Sequence, residues 1–145
     1  MKLAIGSDHA GFEIKEKLKT QYTKVQWLDC GPTSDSPVDY PDYAAAVCHA
    51  ILDGKADRGV LICGSGLGMC MAANKFKGIR AALCLSVEFA KLSREHNDSN
   101  VLCLAGRFTS ADEALKILAA WQDTSFSGQP RHKTRLAKLK SLENG

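Results

Sequence analysis

The sequence lacks the long apolar runs of a membrane protein and the paired cysteines of a zinc site. No apolar stretch approaches the roughly twenty residues that span a bilayer. No C-x-x-C pair is present, and no histidine lies at zinc-ligand spacing. We therefore expect no membrane anchor, no bound metal and reduced thiols at all six cysteines, Cys30, Cys48, Cys63, Cys70, Cys84 and Cys103.

The chain also lacks a signal-peptide core and a strong net charge. It begins directly with the strand-like segment 2–6, which together with reduced thiols favours the cytoplasm. The net charge is +3, and the basic excess collects near the end of the chain. That basic segment has no interleaved aromatic residues and no nucleic-acid motif, so we expect it to bind a small phosphate and not nucleic acid.

Apolar runs alternate with segments of helical periodicity along the whole chain, without repeats or a shift in composition. The chain is 145 residues long and 45% hydrophobic, which suits a single domain over residues 1–145. The pattern predicts an α/β, Rossmann-like fold with a five-stranded, mostly parallel sheet and helices on both faces. Strands are predicted at 3–6, 25–28, 59–63, 79–85 and 101–105, and helices at 10–22, 41–52, 67–76, 87–96, 111–121 and 131–142, the fifth capped by Ser110.

In an open parallel sheet, ligands bind beyond the carboxyl ends of the strands. Several polar or glycine-rich segments follow predicted strands, so we expect them to face one crevice. They are Asp8-His9, the loop 30–43, Cys63 to Gly68, the loop after Cys84, and Ala105 to Arg107.

The turn Cys63-Gly64-Ser65-Gly66-Leu67-Gly68 is the most distinctive of these segments. Its backbone N–H groups could hold an anion or an oxyanion beside a thiol whose thiolate form they favour. The turn lacks the G-x-G-x-x-G spacing of dinucleotide folds, the Gly-Lys-Ser/Thr of P-loops and the arginine of cysteine phosphatases. Taken alone, it could equally be a structural βα turn.

Five blocks in order resemble the type B ribose-5-phosphate isomerases. They are Gly6 to Gly11, Asp39 to Pro41, Cys63 to Lys75, Ser93 to Asp98, and Arg131 to Arg135. The resemblance implies a Rossmann-like enzyme of the pentose phosphate pathway that needs no metal or organic cofactor. It also implies a homodimer or tetramer whose active sites lie between two subunits, because the C-terminal helix reaches the partner.

The resemblance also implies residue roles. Cys63 resembles the base that moves a proton between C2 and C1 of the open-chain sugar, and His96 resembles the acid/base for ring opening. The enediolate would be bound by Asn97 and by the turn residues Gly64, Ser65, Gly66, Leu67 and Gly68. One subgroup of the family uses a glutamate base later in the chain, but position 73 is Ala here and no acid follows at Asn74-Lys75.

The remaining substrate contacts are implied in the same way. Asp8 and Tyr40 match residues near the sugar, and His9 matches a residue near the phosphate. Phosphate binding matches Arg107, Arg131 and Arg135, whose guanidinium groups suit phosphate oxygens, and His132 lies in the same block.

Other interpretations stay open at this stage. Asp8 could be a helix cap, His96 and Asn97 could end a helix, and the basic tail could be a solvated helix face. The substrate could be a hexose 6-phosphate, such as allose or galactose 6-phosphate. A protein that binds a sugar phosphate without catalysis would be an alternative of another class.

Overall fold

The computed structural model describes residues 1–145 and has the predicted five-stranded sheet. The strands are β1 (Lys2–Ser7), β2 (Gln26–Asp29), β3 (Arg58–Cys63), β4 (Ala81–Leu83) and β5 (Val101–Ala105). All pairs are parallel, in the order β2-β1-β3-β5-β4. The α/β, Rossmann-like prediction is confirmed.

Six α-helices follow in the predicted positions. They are α1 (Phe12–Gln21), α2 (Tyr40–Leu52), α3 (Leu67–Ala73), α4 (Val87–Glu95), α5 (Ala111–Asp123) and α6 (Pro130–Ser141), after which a 3₁₀ turn covers Leu142–Asn144. The Ser110 hydroxyl accepts a hydrogen bond from the Glu113 N–H at 3.1 Å, as expected of the cap. No helix is both long and apolar enough to cross a membrane.

Side chains that alternate along the strands build two cores, one on each face of the sheet. Leu3, Ile5 and Ile62 point to one face and pack against α1, α4 and α5. Ala4, Leu61 and Cys103 point to the other and pack against α2 and α3. Helix α6 lies apart, and only His132 of its side chains is buried.

Two predicted elements are too long. The predicted strand 79–85 pairs with β5 only at Ala81, Ala82 and Leu83. On its outer side, the Asn74 side chain accepts from the Ala81 N–H at 2.8 Å and donates to the Ala81 carbonyl at 3.0 Å. The predicted helix 67–76 ends at Ala73, because Asn74 turns to make these bonds.

Candidate active site

Cys63 is the last residue of the central strand β3 and is only 5% exposed to solvent. Two backbone bonds join its turn to the end of β5. The Gly106 N–H donates to the Cys63 carbonyl at 2.8 Å, and the Arg107 N–H donates to the Gly64 carbonyl at 3.0 Å. The predicted meeting of these two loops at one edge of the sheet is therefore correct.

The three glycines of the turn allow other residues to approach it closely. A Cβ at Gly64 would lie 3.2 Å from the Arg107 Nη1, and a Cβ at Gly68 would lie 2.6 Å from the Tyr40 ring. Gly66 has φ +77°, which favours glycine, and a Cβ there would lie 2.5 Å from Leu83. Arg107 and Tyr40 thus pack directly against the turn that follows Cys63.

Asp8 and His9 follow the neighbouring strand β1 at the same edge. The Asp8 N–H donates to the Ile62 carbonyl at 3.1 Å, which places Asp8 beside the end of β3. Its carboxylate accepts from the Gly11 N–H at 3.0 Å, so Asp8 also closes the turn before α1. His9 Nδ1 accepts from the Val38 N–H at 3.3 Å, which assigns the proton of a neutral ring to Nε2.

These residues form the carboxyl-edge group, named for its place at the carboxyl ends of the strands. Its members are Asp8, His9, Tyr40, Cys63, Gly64, Ser65, Gly66, Leu67, Gly68 and Arg107. Ser65 contributes a hydroxyl that accepts from the Leu67 N–H at 3.2 Å. The arrangement combines a thiol, several backbone N–H groups, a guanidinium and an imidazole, which suits an anionic substrate with an acidic C–H bond.

His96 and Asn97 do not join this group. They follow α4, which runs back from the carboxyl ends of the strands to the amino ends. The Asn97 carbonyl accepts from the Arg80 Nε at 3.2 Å, and Arg80 directly precedes β4. Since Cys63 lies four residues beyond the start of the β3–β5 pairing at Gly59, the two sites are separated by about 13 Å along the strands.

A second set of polar side chains surrounds His96. The rings of His96 and His132 stack with their centroids 4.4 Å apart and an interplanar angle of 37°. The Ser127 hydroxyl lies 2.6 Å from His132 Nδ1, and the Ser127 N–H donates to the Glu95 carbonyl. We call His96, Asn97, Arg131, His132 and Arg135 the amino-edge group.

The charge around His132 favours its neutral form. Burial lowers the pKa of His132, and electrostatic repulsion from the neighbouring His96, Arg131 and Arg135 lowers it further. Both arginines are exposed on α6, four residues apart and therefore on one face of the helix. The amino-edge group thus presents two free guanidinium groups beside a pair of imidazoles.

Sequence reasoning gave no role to the residues that hold the His96-Asn97 segment. Arg94 is 4% exposed, and its guanidinium donates to the Asp98 carboxylate, the Ser99 carbonyl and the Thr124 carbonyl. Asp98 has φ +46°, a conformation that non-glycine residues seldom adopt. Arg94 was visible within the matching block 93–98, whereas nothing in the sequence pointed to Ser127.

A cavity of about 530 Å³ lies between α6 and the edge strand β4, and it borders Asn97 and not Cys63. Its other walls include Leu136 and Leu139 of α6 and Ala81 of β4. No group of three or more His, Cys, Asp or Glu side chains is placed to bind a metal ion.

Comparison with known proteins shows the family. The family described as Ribose/Galactose Isomerase matches residues 3–139. The structure of a ribose-5-phosphate isomerase B from Clostridium thermocellum is 43% identical, with a TM-score of 0.96 and coverage of 99% of this chain and 98% of that one.

The names of two further relatives state the sugar phosphate that each binds or isomerises. The ribose-5-phosphate isomerase B of Mycoplasma genitalium, solved with bound ribulose-5-phosphate, is 39% identical, with a TM-score of 0.90 and coverage of 99% and 96%. A D-erythrulose-4-phosphate isomerase of Pectobacterium atrosepticum is 40% identical over 88% of this chain and 86% of its own length. The fold, the turn at Cys63 and these similarities along the whole chain show that the protein belongs to the ribose/galactose isomerase family, as its sequence blocks predicted.

Proposed function

We propose that this protein interconverts ribose 5-phosphate and ribulose 5-phosphate through an enediolate. The observation that carries the proposal is the position of Cys63, at the end of β3 and within a glycine turn that packs against Arg107 and Tyr40. The relatives named ribose-5-phosphate isomerase B, one of them solved with ribulose-5-phosphate, support the substrate.

The carboxyl-edge group supplies what the proton transfer needs. In the proposed mechanism, the Cys63 thiolate removes the proton from C2 of the open-chain aldose and returns it to C1. Negative charge that develops on the carbonyl oxygen is stabilised by N–H groups of residues 64–68 and by Asn97 of a second chain, which belongs to the amino-edge group. Asp8 and Tyr40 bind the sugar hydroxyls.

The phosphate and the sugar ring need further groups. We propose that His9, Arg107, Arg131 and Arg135 bind the phosphate, because guanidinium groups match its oxygens in pairs. His96 transfers the proton that opens the furanose ring, a task that suits an imidazole because its two nitrogens can donate and accept protons.

A complete site then requires a second copy of the chain. Cys63 and His96 lie at opposite ends of the strands, about 13 Å apart along the strand direction. A pentose phosphate in the crevice of one chain therefore does not reach the His96 of the same chain. We propose a homodimer, alone or within a tetramer, in which the amino-edge group of one chain completes the carboxyl-edge group of its partner.

Exposed apolar side chains support this assembly. Leu67 and Met71 of α3 and Phe89 of α4 are more than half exposed, as are Leu85 and Phe108, which follow β4 and β5. Most of them surround the crevice, where a partner would bury them. Helix α6 has only one buried side chain, so it remains available to a second chain.

The six free cysteines support the cytoplasm as the compartment.

A four-carbon substrate is a second candidate, favoured by the 40% identity to a D-erythrulose-4-phosphate isomerase. An aldotetrose 4-phosphate has no furanose form, because its C4 oxygen carries the phosphate. Its isomerisation would use Cys63 without ring opening by His96. The family description also includes galactose, so hexose 6-phosphates belong in the same assay.

The test is turnover of ribose 5-phosphate, erythrose 4-phosphate, allose 6-phosphate and galactose 6-phosphate by the wild type, Cys63→Ala and His96→Asn. Cys63→Ala should lower kcat for ribose 5-phosphate by about 10²- to 10⁴-fold, with phosphate-ester binding retained. His96→Asn should lower it about 100-fold for the pentose and less than about tenfold for the tetrose, if the tetrose is a substrate.

Cys70→Ser is the matched control. It removes another thiol on the face of the sheet that α3 covers, but one that lies outside the crevice. Full activity of Cys63→Ala would refute the assigned base. Turnover of a hexose or tetrose alone would move the substrate assignment, and binding without turnover of any sugar would leave a non-catalytic sugar-phosphate-binding protein.

A further inference from the structure

Ser127 lies in the loop before α6, and the proposed mechanism does not use it. Its hydroxyl oxygen lies 2.6 Å from His132 Nδ1 and accepts from the Gln129 N–H at 3.2 Å. Its backbone N–H donates to the carbonyl of Glu95 at 3.0 Å. Glu95 is the last residue of α4 and directly precedes His96. Ser127 therefore joins the end of α4 to the start of α6.

His132 is the residue through which Ser127 reaches His96. It is only 4% exposed, and it is the one buried side chain of α6. Its ring stacks on the His96 ring with the centroids 4.4 Å apart, and the Phe126 ring has its centroid 6.4 Å away. A rotation of the His132 ring would therefore change the surface against which His96 packs.

The surroundings of the two groups indicate the direction of their hydrogen bond. The Ser127 oxygen already accepts from the Gln129 N–H, which leaves the hydroxyl proton for an acceptor. His132 Nδ1 can be that acceptor, because burial and repulsion from three basic neighbours lower the pKa of His132 and favour the neutral ring. The hydroxyl then keeps the proton of His132 on Nε2 and fixes the plane of the ring.

We propose that Ser127 is a positioning residue for ring opening. Through His132, it holds the His96 imidazole in the orientation that transfers a proton to the furanose. This inference rests on the proposed function, in which His96 opens the ring. The proton transfer by Cys63 belongs to the carboxyl-edge group and does not depend on Ser127.

Ser127→Ala distinguishes this role from a general loosening of α6. The far end of the helix is also attached, because Glu143, which follows it, accepts from the Gly78 N–H at 2.8 Å. We therefore expect the arginines of α6 to keep their positions and KM for ribose 5-phosphate to change by less than about threefold. The value of kcat for ribose 5-phosphate should fall by about five- to twentyfold, because His96 loses its support.

The reverse reaction provides the comparison. Ribulose 5-phosphate has no furanose form, because its C5 oxygen carries the phosphate. Its conversion needs proton transfer by Cys63 but no ring opening. In Ser127→Ala, kcat from ribulose 5-phosphate should therefore stay within about twofold of the wild-type value. His96→Asn should show the same difference between the two directions, with a larger forward loss.

Two further variants serve as controls. Ser127→Thr keeps the hydroxyl at an exposed position and should restore most of the forward kcat. Ser141→Ala removes a hydroxyl that donates only to the Lys138 carbonyl near the other end of α6, and it should behave as the wild type.

A long-range ¹H–¹⁵N spectrum of the imidazole nitrogens at pH 8 gives a readout besides activity. His132 Nδ1 should be unprotonated in the wild type and in Ser127→Thr, and Ser127→Ala should contain a mixture of the two tautomers. Equal losses of kcat in both directions, a rise of KM in both directions, or a wild-type proton on Nδ1 would overturn the inference.

Failure of the inference differs from failure of the proposed function. If forward turnover were unchanged in Ser127→Ala but lost in His96→Asn, the inference alone would be wrong. If His96→Asn also kept its forward turnover, the proposed role of His96 would be wrong, and the inference with it.

Discussion

At the scale of single residues, the shape of the crevice depends on two glycines, which have no side chain. Gly64 and Gly68 leave room for the Arg107 guanidinium and the Tyr40 ring, which would otherwise meet a Cβ at 3.2 Å and 2.6 Å. Both neighbours are exposed, so the ends of their side chains can move into solvent at small cost to stability. Arg107 and Tyr40 contribute through their positions beside the turn, and a substitution of alanine for either glycine tests this contribution.

Gly68→Ala should displace the Tyr40 ring. Because the ring can swing into solvent, we expect the free energy of unfolding to change by less than about 1 kcal/mol. KM for ribose 5-phosphate should rise roughly three- to tenfold, equivalent to about 1 kcal/mol of lost binding. Steady-state kinetics and urea unfolding give the two numbers.

Tyr40→Ala provides the control for this substitution. In its background, Gly68→Ala should leave KM nearly unchanged, because the clash has been removed and the two effects are coupled. A full additional loss in the double variant would show that Gly68 acts through something other than Tyr40.

At the scale of elements, a buried lysine ties α1 to the end of β2. Lys15 is fully buried, and its Nζ lies 2.9 Å from Asp29 Oδ2 and 2.9 Å from Glu16 Oε2. Asp29 also accepts from the Gly31 N–H at 2.8 Å, and the Gly31 carbonyl accepts from the Ser7 N–H. The pair therefore anchors the start of the loop that leads to Tyr40.

Asp29→Asn should lower the free energy of unfolding by about 2 kcal/mol at pH 7, because buried Lys15 then keeps only Glu16 as an anionic partner. Burial would raise the pKa of Asp29, but hydrogen bonds from Lys19 and Lys15 outweigh it, and the net shift is downward. The contribution is therefore present above the unfolded-state pKa of about 4 and is lost as the pH falls through the lower folded-state pKa.

Urea unfolding of both proteins between pH 3 and pH 7 measures this difference, which should shrink below pH 4. Glu13→Gln is the control: it removes the exposed pair with Lys17 and should cost less than about 0.5 kcal/mol. A difference that persists unchanged at the lowest pH would show that the Asp29 charge is not responsible.

Most elements were predictable because local periodicity and caps determine them. Ser110 marked the start of α5, and the alternation of strands and helices implied a parallel sheet. The length of β4 was not predictable, since its apolar run 79–85 looks like a full strand. The partner strand and the Asn74 side chain limit it to three residues, and neither contact can be read from the apolar run itself.

The candidate site was predictable to the same extent. The blocks named the residues that follow β1 and β3, and the strand pattern placed Ala105 to Arg107 after β5. Their meeting at one edge follows from a parallel sheet. The resemblance implied a site shared between subunits. The position of His96 at the far edge was also implied by the order of the elements, because in a parallel sheet α4 must return to the amino end of β5. Contacts such as Ser127 with His132 involve a loop without a motif.

At the scale of the whole molecule, the carboxyl-edge and amino-edge groups lie at opposite ends of the strands of one sheet. Cys63, His9 and Arg107 lie at one edge, and His96, Asn97 and the arginines of α6 lie at the other. Two copies related by a twofold axis would form two complete sites, each with one half from each chain. In the proposed dimer, two inactive variants would therefore complement each other.

The most direct measurement is therefore the activity of mixed dimers made from Cys63→Ala and His96→Asn. Co-refolding the two variants in equal amounts should give about half mixed dimers, each with one intact site, and so about a quarter of the wild-type activity. Each variant refolded alone serves as the control and should stay inactive. If both residues instead acted within one chain, no intact site could form, and a mixture as inactive as its parents would contradict the shared site.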